Sequence, residues 1–216
     1  MATLSLRHLL VPVAALLALV VASPALADAD SAPRLGISPI GQDGSWFDLE
    51  LDPGQSAELE IELANHGDEH VDARSYVADV YPLINGGMGV ALHDDPVANP
   101  ATEWIDYPSS TPILEPDTAL RHDVTVTVPD DTAPGQYIAA LVIQHDTDRT
   151  SDDTDQLGID QVLRQAVAIN ITVPGPAAPD LVLGDTSHLI TAERSTLRTE
   201  LANTGNRHLV PAGGFE

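Results

Sequence analysis

The pentapeptide His66-Gly67-Asp68-Glu69-His70 matches, letter for letter, the His-x-x-Glu-His pattern of inverted zinc metallopeptidases. That chemistry needs both imidazoles on one face of a helix, four residues apart, so that their nitrogens converge on a single ion. Here a Gly-Asp pair sits at the centre, which reads as a turn between strands. A second copy of the same corner carries Thr204 and Arg207 in place of His66 and Glu69. The corner therefore forms without the ligands, and the match is read as chance. A second acidic feature spans residues 145–160, where Asp146, Asp148, Asp152, Asp153, Asp155 and Asp160 surround Arg149. Calcium takes such oxygens, but the run lacks the glycine and terminal glutamate of the helix-loop-helix calcium loop, and it reads as a solvated loop.

Nucleophile chemistry finds no footing. There is no Gly-x-Ser-x-Gly, no Ser-x-x-Lys and no phosphate-binding glycine loop. With no cysteine, thiolate catalysis, disulfides and Cys-type zinc sites are excluded. A carboxylate pair is uninformative among 33 Asp and Glu residues. No catalytic residue, metal ligand or cofactor is assigned, and the expectation is a protein that is not an enzyme.

Binding is the remaining chemistry. Asn85, Gly86, Gly87 and Met88 form the candidate contact loop, because glycines free the backbone and strand-joining loops commonly carry binding. A plain hairpin turn would explain the same residues. Trp104, followed by Ile105 and flanked by Pro100 and Pro108, reads as a plug for one end of the core rather than a sugar-stacking platform. Tyr76 and Tyr137 read as core or corner residues.

The elements that must hold these residues are strands. Ala57, Leu59, Ile61 and Leu63 alternate with Glu58, Glu60 and Glu62; Val124, Val126 and Val128 alternate with Thr125 and Thr127. Val167, Ile169, Ile171 and Val173 close the series before Pro174-Gly175-Pro176. Period-two alternation with Pro/Gly turns between the runs indicates half-buried antiparallel strands, and no segment sustains helical spacing. The fold class expected is all-β, an immunoglobulin-like antiparallel β-sandwich, with Leu59, Ile61, Leu63, Val124, Val126, Ile169 and Ile171 facing inward.

The corner Glu62-Leu63-Ala64-Asn65-x-Gly67-x-x-His70 recurs as Glu200-Leu201-Ala202-Asn203-x-Gly205-x-x-His208, at a constant offset of 138. This divides the chain into a sandwich at 35–174, a Pro/Gly linker at 175–179 and the truncated start of a second similar sandwich at 180–216. Upstream, Arg7 and His8 precede 13 apolar residues and then Ala25-Leu26-Ala27, the pattern of a cleavable export signal at 1–27, followed by a short mature segment at 28–34. The apolar run is shorter than the roughly 20 residues of a membrane span. All nine basic residues are arginines, one of them in the signal, so the mature chain sets eight against 33 acids, a net charge of −25. Nucleic acid needs a basic footprint and is excluded as a partner.

With the strands in place, residues 36–174 resemble the peptidoglycan-binding domain of bacterial WxL-interacting cell-surface proteins. The resemblance rests on an ordered series: Phe47-Asp48-Leu49-Glu50-Leu51 into Pro53-Gly54-Gln55, Leu63-Ala64-Asn65 with Gly67-Asp68-Glu69, Tyr76-Val77-Ala78-Asp79-Val80, Asn85-Gly86-Gly87-Met88, Trp104-Ile105, and Asp131 through Pro134-Gly135-Gln136-Tyr137. It implies an exported, extracellular or cell-wall-associated binding and adhesion module, contacting cell-wall polymer or a surface protein, with the membrane reached only through an anchor beyond residue 216. The alternatives are a carbohydrate-binding module, for which aromatics are few, a pilus-chaperone-like domain, for which a basic anchoring pair is not evident, and a passive spacer.

Overall fold

The computed structural model describes residues 34–83, 86–147, 161–191 and 194–212. The expected export signal, Asn85 and nearly all of the acidic run lie outside the described residues. Among the described residues, thirteen strands and one short helix follow in order: β1 (Leu35–Ile40), β2 (Phe47–Glu50), β3 (Ser56–Asn65), β4 (Val71–Asp72), β5 (Arg74–Pro82), β6 (Met88–Val90), α1 (Pro100–Glu103), β7 (Ile105–Asp106), β8 (Ile113–Leu114), β9 (Thr118–Thr127), β10 (Gly135–Thr147), β11 (Gln161–Val173), β12 (Leu181–Ile190) and β13 (Ser195–Asn203).

Two sheets make the sandwich. One has the order β1-β3-β9-β7 and the other β2-β11-β10-β5-β6. The alternation read from the sequence decides which side chains meet between them: Leu59, Ile61, Leu63, Val124, Val126, Ile169 and Ile171 are all buried in one core, with Leu141 and Ile143 of β10 opposite. A slip of one residue in any of these strands would turn its aliphatics to water, so the pattern fixes the register. The register of β3 on β9 sets Leu59 opposite Val124 and Glu60 opposite Asp123, placing aliphatics inside and carboxylates outside.

The sandwich is antiparallel as expected, with one parallel strand pair at the edge of a sheet. After β1 pairs antiparallel with β3, the chain crosses at Gly41 (φ 76°) to the other sheet, where β2 runs parallel to β11. β1 and β2 are each an edge strand of their sheet. A chain that changes sheets within a few residues keeps its direction, so it meets its new neighbour in parallel. The segment from Val71 to Pro82 is interrupted at Ala73, which separates β4, paired with β8, from β5.

The ends of the sandwich are closed by aromatics and by one amide. Trp104 is buried and stacks on Tyr137, ring centroids 4.6 Å apart. Tyr137, at the start of β10, donates its hydroxyl to the Ala133 carbonyl at 2.8 Å, a tyrosine corner of the immunoglobulin type. At the opposite end, fully buried Asn65 accepts from Gly67 N–H at 2.9 Å and donates to Glu69 O at 2.7 Å and Leu114 O at 3.1 Å.

The second copy of this corner has the same geometry. Asn203 accepts from Gly205 N–H at 3.1 Å and donates to Arg207 O at 2.7 Å. Leu181 and Leu183 lie opposite Asn203 and Leu201, as Leu35 and Ile37 lie opposite Asn65 and Leu63. The surroundings differ. Leu63 is fully buried, whereas Leu201 is 52% exposed.

Candidate functional site

His66, Glu69 and His70 fall in the turn between β3 and β4, not on a helix, so the two imidazoles do not share a helical face. Among the described residues no group of three or more His, Asp or Glu side chains is arranged to hold a metal ion.

Gly86, Gly87 and Met88 lie at the tip of the β5–β6 hairpin, and Asn85 of that loop lies outside the described residues. The turn closes with Leu83 N–H to Gly87 O at 2.8 Å and Gly86 N–H to Leu83 O at 3.0 Å, with Gly86 at φ 84°. A side chain at that φ would be strained, which is why glycine is needed there. Pro82 pairs with Met88, Tyr81 with Gly89, and the Tyr81 ring lies so close over Gly89 that a Cβ there would collide with it. The tip therefore displays Tyr81 (47% exposed), Leu83 and Met88 (62%), and the loop that follows adds Leu92 and Val97. Sequence reasoning found the glycines but missed these apolar neighbours, since Tyr81, Leu92 and Val97 carry no motif and only the hairpin register sets Tyr81 over Gly89 and Met88 opposite Pro82.

This loop is not free to drift. Asp79, near the end of β5, accepts from Ala98 N–H at 2.7 Å, Asn99 N–H at 3.0 Å and the Thr102 hydroxyl. Burial works to raise the Asp79 pKa, but those hydrogen bonds outweigh it and leave the carboxyl below its ordinary value. The clamp is therefore charged at neutral and mildly acidic pH. Asn99 caps α1 through Ala101 N–H at 3.1 Å and holds Ile138 O at 2.7 Å, tying the loop to β10.

From the loop the chain folds back over the outer face of the five-stranded sheet. His93 stands edge-on to buried Tyr76, 5.1 Å between ring centroids, and Tyr76 donates to Gln144 Oε1 at 2.9 Å. Arg74 and Arg164 flank Gln144 in register on β5 and β11. The opposite outer face carries Glu58, Glu60, Glu62 and Asp123, with Arg121 3.8 Å from both Glu60 and Glu62. The two broad faces thus differ in charge.

No protein-family model matches this sequence, and no curated protein matches it. Solved structures resemble it at low similarity. A family 123 glycoside hydrolase from Clostridium perfringens has 12% identity over 64% of this chain and 27% of that one, with a TM-score of 0.36. The human CEP192 PapD-like domain 7 has 15% identity over 81% and 99%, with a TM-score of 0.35. A class 5 fimbriae chaperone has 12% identity over 80% and 68%, with a TM-score of 0.34. The chain spans about a quarter of the hydrolase, and likenesses of this size carry no argument about function.

The architecture itself is plain. The chain is an all-β, immunoglobulin-like sandwich, and among the described residues no helix is long and apolar enough to cross a membrane. What the surface offers at the hairpin and its loop is contact: an aromatic ring, aliphatic side chains and a stiff backbone.

Proposed function

We propose that this protein is an exported, non-enzymatic surface module that contacts cell-wall polymer of the peptidoglycan kind, or a surface protein partner, through the β5–β6 hairpin and the loop after it. The observation that carries this reading is the group of exposed apolar side chains at that hairpin and loop, set on a backbone clamped by Asp79. Exposed apolar side chains rimmed by polar ones mark interaction surfaces on soluble domains. The export signal and the resemblance to WxL-interacting proteins support the compartment and the class of partner.

The test is sedimentation of residues 28–216 with purified cell wall. Wild-type protein is expected in the pellet, with no soluble sugar or peptide released. The double variant Tyr81→Ser, Met88→Ser is expected to stay in the supernatant while remaining folded, with at most a slightly lowered melting temperature, because Met88 is mostly exposed and Tyr81 about half exposed. Release of soluble wall fragments, abolished by changing His66 or His70, would overturn the non-enzymatic reading.

A further inference from the structure

We infer that Asp43 is a modification site: in the folded protein it converts to isoaspartate through a succinimide closed onto Gly44. Asp43-Gly44 is the one Asp-Gly pair in the sequence. Without a Cβ, glycine leaves its nitrogen unhindered and its backbone free to turn, so a ring closes across this peptide bond more readily than across other Asp-x bonds. The residue pair supplies the opportunity; the fold decides whether the chain is free to take it.

Residues 41–46 carry the chain from β1 in one sheet to β2 in the other, and all six are exposed. β2 and β6 are opposite edges of the five-stranded sheet, so this link is separate from the proposed contact surface. A succinimide needs an untethered peptide nitrogen, an untethered carboxyl group and room for the ring. Among the described residues the Gly44 N–H makes no hydrogen bond, and the Asp43 carboxylate makes neither a hydrogen bond nor an ion pair. Chain neighbours aside, a Cβ placed on Gly44 would stand 3.9 Å from Trp46 O and 4.0 Å from Trp46 N, so nothing crowds the ring.

Neighbouring aspartates fail on one count or another. Asp48 lies in β2 and accepts from Trp46 Nε1 at 2.7 Å and Asn170 Nδ2 at 2.8 Å. Asp52 precedes a proline, whose nitrogen has no hydrogen to give up. Asp72 lies in β4, where pairing with β8 fixes its backbone.

The reaction uses water alone. The Gly44 nitrogen attacks Cγ of the protonated Asp43 carboxyl, a C–N bond forms, and the carboxyl hydroxyl leaves with the amide proton as water. A second water then adds to the α-carbonyl of the ring and breaks its bond to nitrogen, so the chain runs through Cβ and Cγ and the former main-chain carbonyl becomes a free carboxylate. Addition at Cγ instead restores aspartate. One water leaves and one enters, nothing is oxidised or reduced, and the main chain gains one carbon in the link between the sheets.

Tryptic cleavage after Arg34 and Arg74 gives one peptide that contains Asp43 together with Asp48, Asp52 and Asp72 as internal comparisons. The protein is held folded at physiological temperature and neutral pH for several weeks and then digested. Electron-transfer fragmentation locates the isoaspartate, and an isoaspartyl methyltransferase with labelled S-adenosylmethionine counts it. At least about tenfold more is expected at Asp43 than at Asp48 or Asp72, because only the unbonded link leaves its backbone free to reach the ring geometry. Gly44→Ala should slow the conversion at least about fivefold with an unchanged melting temperature, since the added methyl enters open space.

Isoaspartate at Asp43 no more abundant than at Asp48, or an unchanged rate in folded Gly44→Ala, would overturn the assignment. So would conversion that appears in urea-unfolded protein and not in the folded protein, because the link would then be held against ring closure.

Discussion

Replacing Asn65 with Ala is expected to lower the melting temperature by about 6–12 °C, and Asn203→Ala to leave the main transition almost unmoved. The two residues occupy the same corner with the same local bonds, to the N–H two residues on and the carbonyl four residues on. They differ in what lies over them. Asn65 is fully buried and also donates to Leu114 O, so truncation leaves the Leu114 and Glu69 carbonyls and the Gly67 N–H without that partner. Losses of this kind cost about 1–3 kcal/mol for each buried group left unpaired, and about 3 kcal/mol in total is a moderate expectation. For a domain of this size each kcal/mol shifts the midpoint by about 2–4 °C. Asn203 is exposed, and water takes the place of its amide. Thermal melts of the two single variants and the double variant check this. Equal losses would mean that local turn geometry, not burial, gives the corner its stability.

The corner also shows what was legible in the sequence. Alternation in β3, β9 and β11 disclosed the core, because a half-buried strand must place its aliphatics on one side. The offset of 138 disclosed the repeat, because the Asn-x-Gly turn needs those residue types in both copies. The sheet change after Ile40 was not legible: Gly41 marks a turn, but nothing local says which sheet receives β2. The candidate site was half legible. Glycines at 86 and 87 signal a hairpin tip through their backbone freedom, whereas the Asp79 clamp joins residues 19 to 23 positions apart and leaves no periodic trace. The Arg74–Gln144–Arg164 row depends on the registers of two strand pairs and emerges only from the assembled sheet.

Asn206→Ala is expected to release the β12–β13 hairpin from the sandwich. A two-stranded hairpin is marginal by itself in water, and this one leaves Leu183 and Ile190 about 70% exposed. Its anchor centres on Asn206. Asn206 accepts from Ala178 N–H at 2.7 Å, donates to Pro176 O at 2.9 Å and to Pro134 O at 3.0 Å, and its own carbonyl receives Gln136 N–H at 3.1 Å. His208 N–H adds a bond to Gln136 Oε1 at 2.8 Å. Hydrogen exchange should show amides of β12 and β13 losing protection in the variant, while those of β3, β10 and β11 keep theirs. Unchanged protection in the hairpin would mean that its strand pairing holds without the anchor.

The central claim is that the β5–β6 hairpin and the loop after it form the contact surface, and backbone chemical-shift mapping of labelled residues 28–216 against solubilised cell-wall fragments tests it most directly. The account predicts shift changes concentrated in residues 81–97, and their loss in the Tyr81→Ser, Met88→Ser variant. Shift changes concentrated instead on Glu58, Glu60, Glu62 and Asp123 of the opposite sheet, or an unaltered map in the variant, would contradict it.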